Sequence, residues 1–164
     1  IERHPLMPAL RADKVALAAL AATLRLYQDP DLAERSVPLL SLLATPVENL
    51  QNRAERLAPQ IAATGVGPVE VVRSESRIAP GDLPSQTIPS YALSLSPSSG
   101  TAPAIAALLR RGRLPVVGCV QGDRLILDLR TVFPRQDVEL VAALEELAAP
   151  RPTPGETSDV ADSL

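Results

Sequence analysis

The sequence predicts an α+β domain, with a small, largely antiparallel sheet covered by helices on one face. Three observations predict it. Apolar residues recur at helical spacing as far as Ile61, alternation replaces that period from Pro68, and two further helical stretches interrupt the alternation. The 164 residues are enough to bury a sizeable core, and 46% hydrophobic with 21% charged residues argues against global disorder.

Residues Ile1 to Ala12, broken by Pro5 and Pro8, read as an entry segment. From Asp13 a helix carries Leu17, Leu20, Leu24 and Tyr27 on one stripe and alanines around most of the rest. Asp29-Pro30 ends it. So apolar a surface predicts a helix buried on more than one side in the whole protein, part of it against a further domain, and an apolar face left exposed on the isolated domain. Leu32 to Ala44 is leucine-rich and divides near Pro38 into a short helical pair. Thr45-Pro46-Val47-Glu48 has the capping-box pattern, and Val47, Leu50, Ala54, Leu57 and Ile61 form the apolar face that follows. Arg53 and Arg56 fall largely outside that face, Pro59 is expected to kink or shorten the last turns, and Gly65 and Gly67 end the helix.

Pro68 to Ser74 and Ser90 to Ser96 then read as strands, with Arg77 to Pro89 as the loop between them. Thr101 can cap a helix carrying Ile105, Leu108 and Leu109 and ending in Arg110-Arg111-Gly112. Val116 to Val120 and Arg124 to Arg130 form a predicted hairpin around Gln121-Gly122-Asp123. A final helix from about Pro134 presents Val138, Val141, Leu144 and Leu147, and the tail from Pro150 to Leu164 has the composition of a disordered segment.

Composition narrows the chemistry. No apolar run is long enough to span a bilayer. A net charge of −3 excludes a strongly basic nucleic-acid coat but leaves room for a local arginine patch. Cys119 and His4 are each alone, so neither an intramolecular disulfide, nor a multi-cysteine zinc site, nor a histidine pair for a metal can form. Cys119 reads as a small buried strand residue, His4 as an ordinary surface or packing residue, and the carboxylates as solvating charges. The chain starts at Ile1 without an initiator methionine or signal peptide, which reads as a piece of a longer, cytoplasmic protein.

The arginines carry the candidate sites. Arg110, Arg111 and Arg113 either cap a helix end or contact an RNA phosphate backbone. Arg130 closes an apolar strand and either pairs with an acid such as Asp128 or points into a cleft, where its planar fork suits carboxylate or phosphate. Arg11 and Lys14 flank Asp13, as a salt-bridged helix start or as an anion site at a domain junction.

His4-Pro5-Leu6-Met7, Ala9-Leu10-Arg11 and Asp13-Lys14, with the helix that follows to Tyr27, resemble the bacterial selenocysteine synthase family. So does Leu109-Arg110-Arg111-Gly112 through Pro115-Val116-Val117-Gly118 to the run Arg124 to Val132, and more weakly Leu83-Pro84 with Ile88-Pro89-Ser90. The likeness spans roughly residues 1 to 148. Members of that family are L-seryl-tRNA(Sec) selenium transferases, pyridoxal-phosphate enzymes of the aminotransferase-like fold type I. The resemblance implies a small C-terminal domain: an entry segment and connecting helix over 1–30, an α+β body over 31–149, and the tail over 150–164. Pyridoxal phosphate would be bound by a large domain upstream, whose Schiff-base lysine precedes the His-Pro-Leu-Met motif. Lys14, the one lysine among sixteen basic residues, belongs to a different motif, so the fragment alone is expected to be inactive.

In the family, water is eliminated from the seryl group on tRNA(Sec) and selenium from selenophosphate is added. The resemblance implies those two partners, a cytoplasmic homo-oligomer (a decamer in the bacterial family), and anion handling by Arg11 with Arg130 second. The chain departs from the pattern at Pro8 and Cys119, where the family usually has arginine, and over Arg77 to Asp82. Those departures leave two alternatives: a related pyridoxal-phosphate lyase acting on a small amino acid or amino-sugar acid, and a non-catalytic module for oligomerisation or tRNA contact.

Overall fold

Asp13 opens the first helix, α1 (Lys14–Leu26), by accepting the Ala16 N–H at 2.7 Å. The computed structural model describes residues 11–77 and 87–148; the expectations for His4, Pro8, most of the 77–89 loop and the tail from Pro150 lie outside them. The chain divides into two compact units, Ile1–Pro46 and Val47–Leu164.

In the first unit, α1 is followed by α2 (Pro30–Ser36) and α3 (Pro38–Leu43), each with proline in its first turn, where the missing N–H costs no helical bond. Asp29 caps α2 by accepting from the Asp31 and Leu32 amides. The division at Pro38 is the expected one. The open apolar face of α1 is expected too, although no side of the helix is buried within this chain: it has no buried residue, and Leu17, Leu20, Leu24 and Tyr27 are all more than half exposed. A helix so rich in alanine and leucine is stable by propensity, and its apolar stripe is open in these residues.

The second unit begins with α4 (Val47–Ala63). Leu50, Ala54, Leu57 and Ile61 are buried along one face, as the helical period requires. The helix runs through Pro59 for a further turn. Pro59 is exposed, so water can take up the carbonyl whose amide partner proline removes. Two long strands follow, β1 (Val69–Arg77) and β2 (Thr87–Leu95), paired antiparallel at all nine positions. Next come α5 (Ala102–Arg111), β3 (Cys119–Gln121), β4 (Arg124–Asp128), two 3₁₀ turns at Leu129–Thr131 and Pro134–Gln136, and α6 (Asp137–Ala148). The sheet order is β1-β2-β4-β3, every pairing antiparallel, which bears out the α+β expectation.

Register explains the core. Val69, Val71, Leu93, Leu95, Leu125 and Leu127 occupy one face of the sheet and meet Leu50, Leu57 and Ile61 of α4, Leu109 of α5 and Leu140 and Leu144 of α6. Tyr91 is the one aromatic residue in this cluster, so the core is filled by leucines. Each contributes about 1.5–3 kcal/mol on burial.

Several expectations are corrected here. Both long strands extend nearer the intervening loop than the sequence suggests, and Pro89 lies inside β2. β4 pairs only with Ala92 to Leu95, so Pro89 has a single strand neighbour and no second ladder to interrupt. β3 is shorter than expected and lies at the sheet edge, leaving Cys119 exposed instead of buried. In α6 the buried face is Asp137, Leu140, Ala143 and Leu144, while Val138 is 79% exposed.

Gly67 has φ +147°, and a Cβ there would stand 2.0 Å from the Ser96 carbonyl oxygen, between the bonds Ser96 N–H to Pro68 and Ser98 N–H to Val66. Gly65, at φ +84°, has open space around it. Gly65→Ala should therefore cost about 1–2 kcal/mol from backbone conformation alone. Gly67→Ala should cost clearly more, because backbone must move. Urea midpoints of the two variants check the order, and equal losses would contradict it.

Candidate functional site

Arg53 leaves the apolar face of α4 by only one position, yet it is 7% exposed. Its Nε donates to Asp137 Oδ1 at 2.7 Å, Nη1 donates to the carbonyls of Leu129 (3.1 Å) and Val132 (2.7 Å), and Nη2 donates to the Phe133 carbonyl (3.0 Å) and again to Asp137. Arg56, largely exposed, holds the other carboxylate oxygen of Asp137 at 2.8 Å. The expectation that Arg53 and the carboxylates are solvating charges is corrected on this point. It also explains the face of α6: Asp137 must look inward, and Leu140 and Leu144 lie three and seven residues on.

A second polar hub sits on the sheet face opposite that leucine core. Asp128, at the end of β4, accepts from Ser76 Oγ and Ser90 Oγ, each at 2.5 Å, and from the Arg130 backbone N–H at 3.0 Å. One carboxylate thus ties β1, β2 and the turn after β4 with charge-assisted bonds. Arg130 is 4% exposed, and its Nη2 donates to the Pro89 carbonyl at 2.6 Å. Arg73 leans over Tyr91, its Nε donating to the phenol oxygen at 3.0 Å.

These groups border a groove of about 1560 Å³, whose lining includes Gln51, Arg73, Ser76, Tyr91, Asp128 and Gln136. Its polar atoms are hydrogen-bond donors and acceptors largely engaged with one another, an arrangement that fixes loops and can orient a polar ligand. Among the described residues, no group of three histidine, cysteine or acidic side chains is placed to hold a metal, and no helix is long and apolar enough to cross a membrane.

The sequence-derived candidates fall in three places. Arg11 is exposed, three residues before the start of α1, in the first unit; Arg130 is buried in the second. Arg110, Arg111 and Arg113 come together, all exposed, at the end of α5. Arg53 and Asp137 are the residues that sequence reasoning missed; Asp128, expected only as a partner for Arg130, also gathers Ser76 and Ser90. An arginine one position from a leucine stripe was the available signal for Arg53, but nothing in the sequence indicates the acid 84 residues away.

Lys14 bears on the pyridoxal-phosphate expectation. A lysine that forms a Schiff base sits in a desolvated pocket that suppresses its charge. Lys14 is exposed in the first turn of α1, so the residues described here do not fit as the holder of that aldehyde.

The architecture defines the class: a small α+β domain with a four-stranded antiparallel sheet backed by helices. Comparison with known proteins narrows it. The family model described as SelA, L-seryl-tRNA selenium transferase, matches residues 1–133. The chain is 45% identical over 134 residues to the L-seryl-tRNA(Sec) selenium transferase of Klebsiella pneumoniae strain 342, covering 79% of this chain and 29% of that protein. It is 42% identical over 151 residues to that of Rhizobium meliloti, covering 89% and 32%. With that of Hyphomonas neptunium it shares 37% over 148 residues, covering 90% and 32%. This chain belongs to the L-seryl-tRNA(Sec) selenium transferase family, and spans about a third of the length of the curated relatives it matches.

The Arg53 network makes a quantitative prediction. Arg53→Ala or Asp137→Ala strands a buried charge and should cost about 3–5 kcal/mol. Arg56→Ala should cost under about 1 kcal/mol, because that guanidinium stays in water. A double-mutant cycle on Arg53 and Asp137, read by urea denaturation, should give strong coupling; additive losses would contradict the pairing.

Proposed function

We propose that this chain is the C-terminal domain of an enzyme that converts seryl-tRNA(Sec) to selenocysteinyl-tRNA(Sec) with selenophosphate. The observation that carries the reading is the family match over residues 1–133, with identities of 37–45% to selenium transferases. The whole protein works with pyridoxal phosphate, in the cytoplasm, as a homo-oligomer. The cofactor aldehyde is held by a lysine outside these residues, and the isolated domain does not turn over. The exposed position of Lys14 supports that division of labour.

Within the domain, Arg11 handles an anionic group at the junction with the rest of the protein. It is exposed just ahead of the Asp13 cap, where a guanidinium can meet phosphate or carboxylate bidentately. Arg130, in the other compact unit, is a second candidate for anion handling. Its burial and its bond to Pro89 favour action through the position of the β2 entrance.

The test uses the longest natural form of the protein, assayed with seryl-tRNA(Sec), pyridoxal phosphate and selenophosphate. Formation of selenocysteinyl-tRNA(Sec) is expected. Arg11→Ala should lower kcat/KM by on the order of 100-fold, the scale of one charge-assisted contact to a reacting anion. Unchanged turnover would remove Arg11 from the site, and no product with wild-type protein would overturn the reading. The 164-residue chain alone should give no product and no cofactor absorbance change.

A further inference from the structure

The three arginines at the end of α5 make few bonds inside the fold. Arg110 reaches only the Gly118 carbonyl, at 3.5 Å, and Arg111 and Arg113 make no hydrogen bond or ion pair among the described residues. The ordinary explanation for cations here is satisfaction of the helix end. Part of that need is met by the chain itself: the Val116 N–H returns to bond the Leu109 carbonyl at 3.0 Å.

The stretch of sequence that carries them is one-sided in charge. Residues 83–122 contain no aspartate or glutamate, and these three arginines are the only charged residues in the stretch. A solvated protein surface normally intersperses both signs, and the whole chain carries −3. The cluster is therefore a local feature. Three full positive charges also outweigh the roughly half negative charge of a helix C-terminus.

The cluster is held in place. Beyond Gly112 the segment is stiffened by Pro115 and pinned at Gly118, where a Cβ would come within 2.7 Å of Leu125 Cδ1 and 2.9 Å of Leu127 Cδ2. Ordering a surface in advance lowers the cost of binding. Guanidinium groups match phosphate oxygens in pairs.

We infer that Arg110, Arg111 and Arg113 form a contact surface for the phosphate backbone of the RNA substrate. This inference rests on the selenium-transferase reading, in which the substrate is an aminoacyl-tRNA. The surface positions the RNA without reading its sequence, because phosphate contacts carry no base information.

The experiment measures binding of tRNA(Sec) transcript to the longest natural form of the protein across a salt series. Each phosphate neutralised adds about 0.9 to the slope of log K against log salt. The triple variant Arg110→Gln, Arg111→Gln, Arg113→Gln should lower that slope by about 2 to 3 and weaken binding roughly 100-fold near 0.15 M salt. The triple lysine variant should retain most of the slope, since a phosphate accepts either cation. Arg35→Gln, on α2, should leave it unchanged. Circular dichroism melting of each variant confirms that loss of binding is not loss of fold. If wild-type protein binds the transcript and the glutamine variant binds it with the same slope, the surface is elsewhere and the inference fails alone. If wild-type protein does not bind, the selenium-transferase reading fails and takes the inference with it.

Discussion

The guanidinium of Arg53 has five N–H donors, and the fold supplies an acceptor bond for each. Two go to Asp137 at the start of α6, and three go to carbonyls of the turn that leads from β4 to α6. Few buried charges are so fully satisfied by protein groups alone. A buried pair of this kind adds little net stability over a well-packed hydrophobic pair. What it adds is direction. Leucines on α4 and α6 could pack in several rotational settings, because one leucine resembles the next; five bonds of fixed angle select one setting.

Much else follows from that selection. With Asp137 turned inward, Leu140 and Leu144 face the sheet and Val138 faces water. With the carbonyls of Leu129, Val132 and Phe133 held, the chain leaving β4 has one path, and Arg130 lies on it. Arg130 then reaches the Pro89 carbonyl, and Asp128 gathers hydroxyls from β1 and β2. The two polar hubs are thus consecutive stations of one short segment, Asp128 to Asp137. The conformation of that segment is set by α4, far away in sequence.

This explains which parts of the fold were legible in the sequence. Caps and periods are local: Asp13, Asp29 and Thr101 cap as short-range chemistry requires, and the leucine stripe of α4 is where the 3.6 period puts it. The α+β class followed from the change of period. What depends on partners far along the chain was not legible. The outer ends of β1 and β2 carry charges and a proline, yet they form strand because each completes the other's ladder. On α6, Leu144, Val141 and Leu147 meet the core as the period requires, and only Val138 departs, because Asp137 beside it is turned inward by an arginine on another helix. Cys119 looked buried because its neighbours are valines, but a three-residue edge strand has too little cover. At the candidate site, the cluster at the end of α5 could be read directly, since its three members are nearly adjacent. The roles of Arg53 and Asp128 could not.

The cations of the domain divide by what surrounds them. Arg53 and Arg130 are inside and bonded to carbonyls or a carboxylate, and Arg124 is paired with Glu70 across the sheet. Each has its charge answered within the fold, so removing it disturbs the fold first. Arg110, Arg111 and Arg113 are outside, on a stretch without acids, at a helix end where the Leu109 carbonyl has another donor. They are no part of the leucine core, so their removal leaves it intact. The leucine core and the Arg53 network supply rigidity. For the proposed contact with a polyanion, that rigidity would hold the backbone under the exterior arginines in place before the encounter.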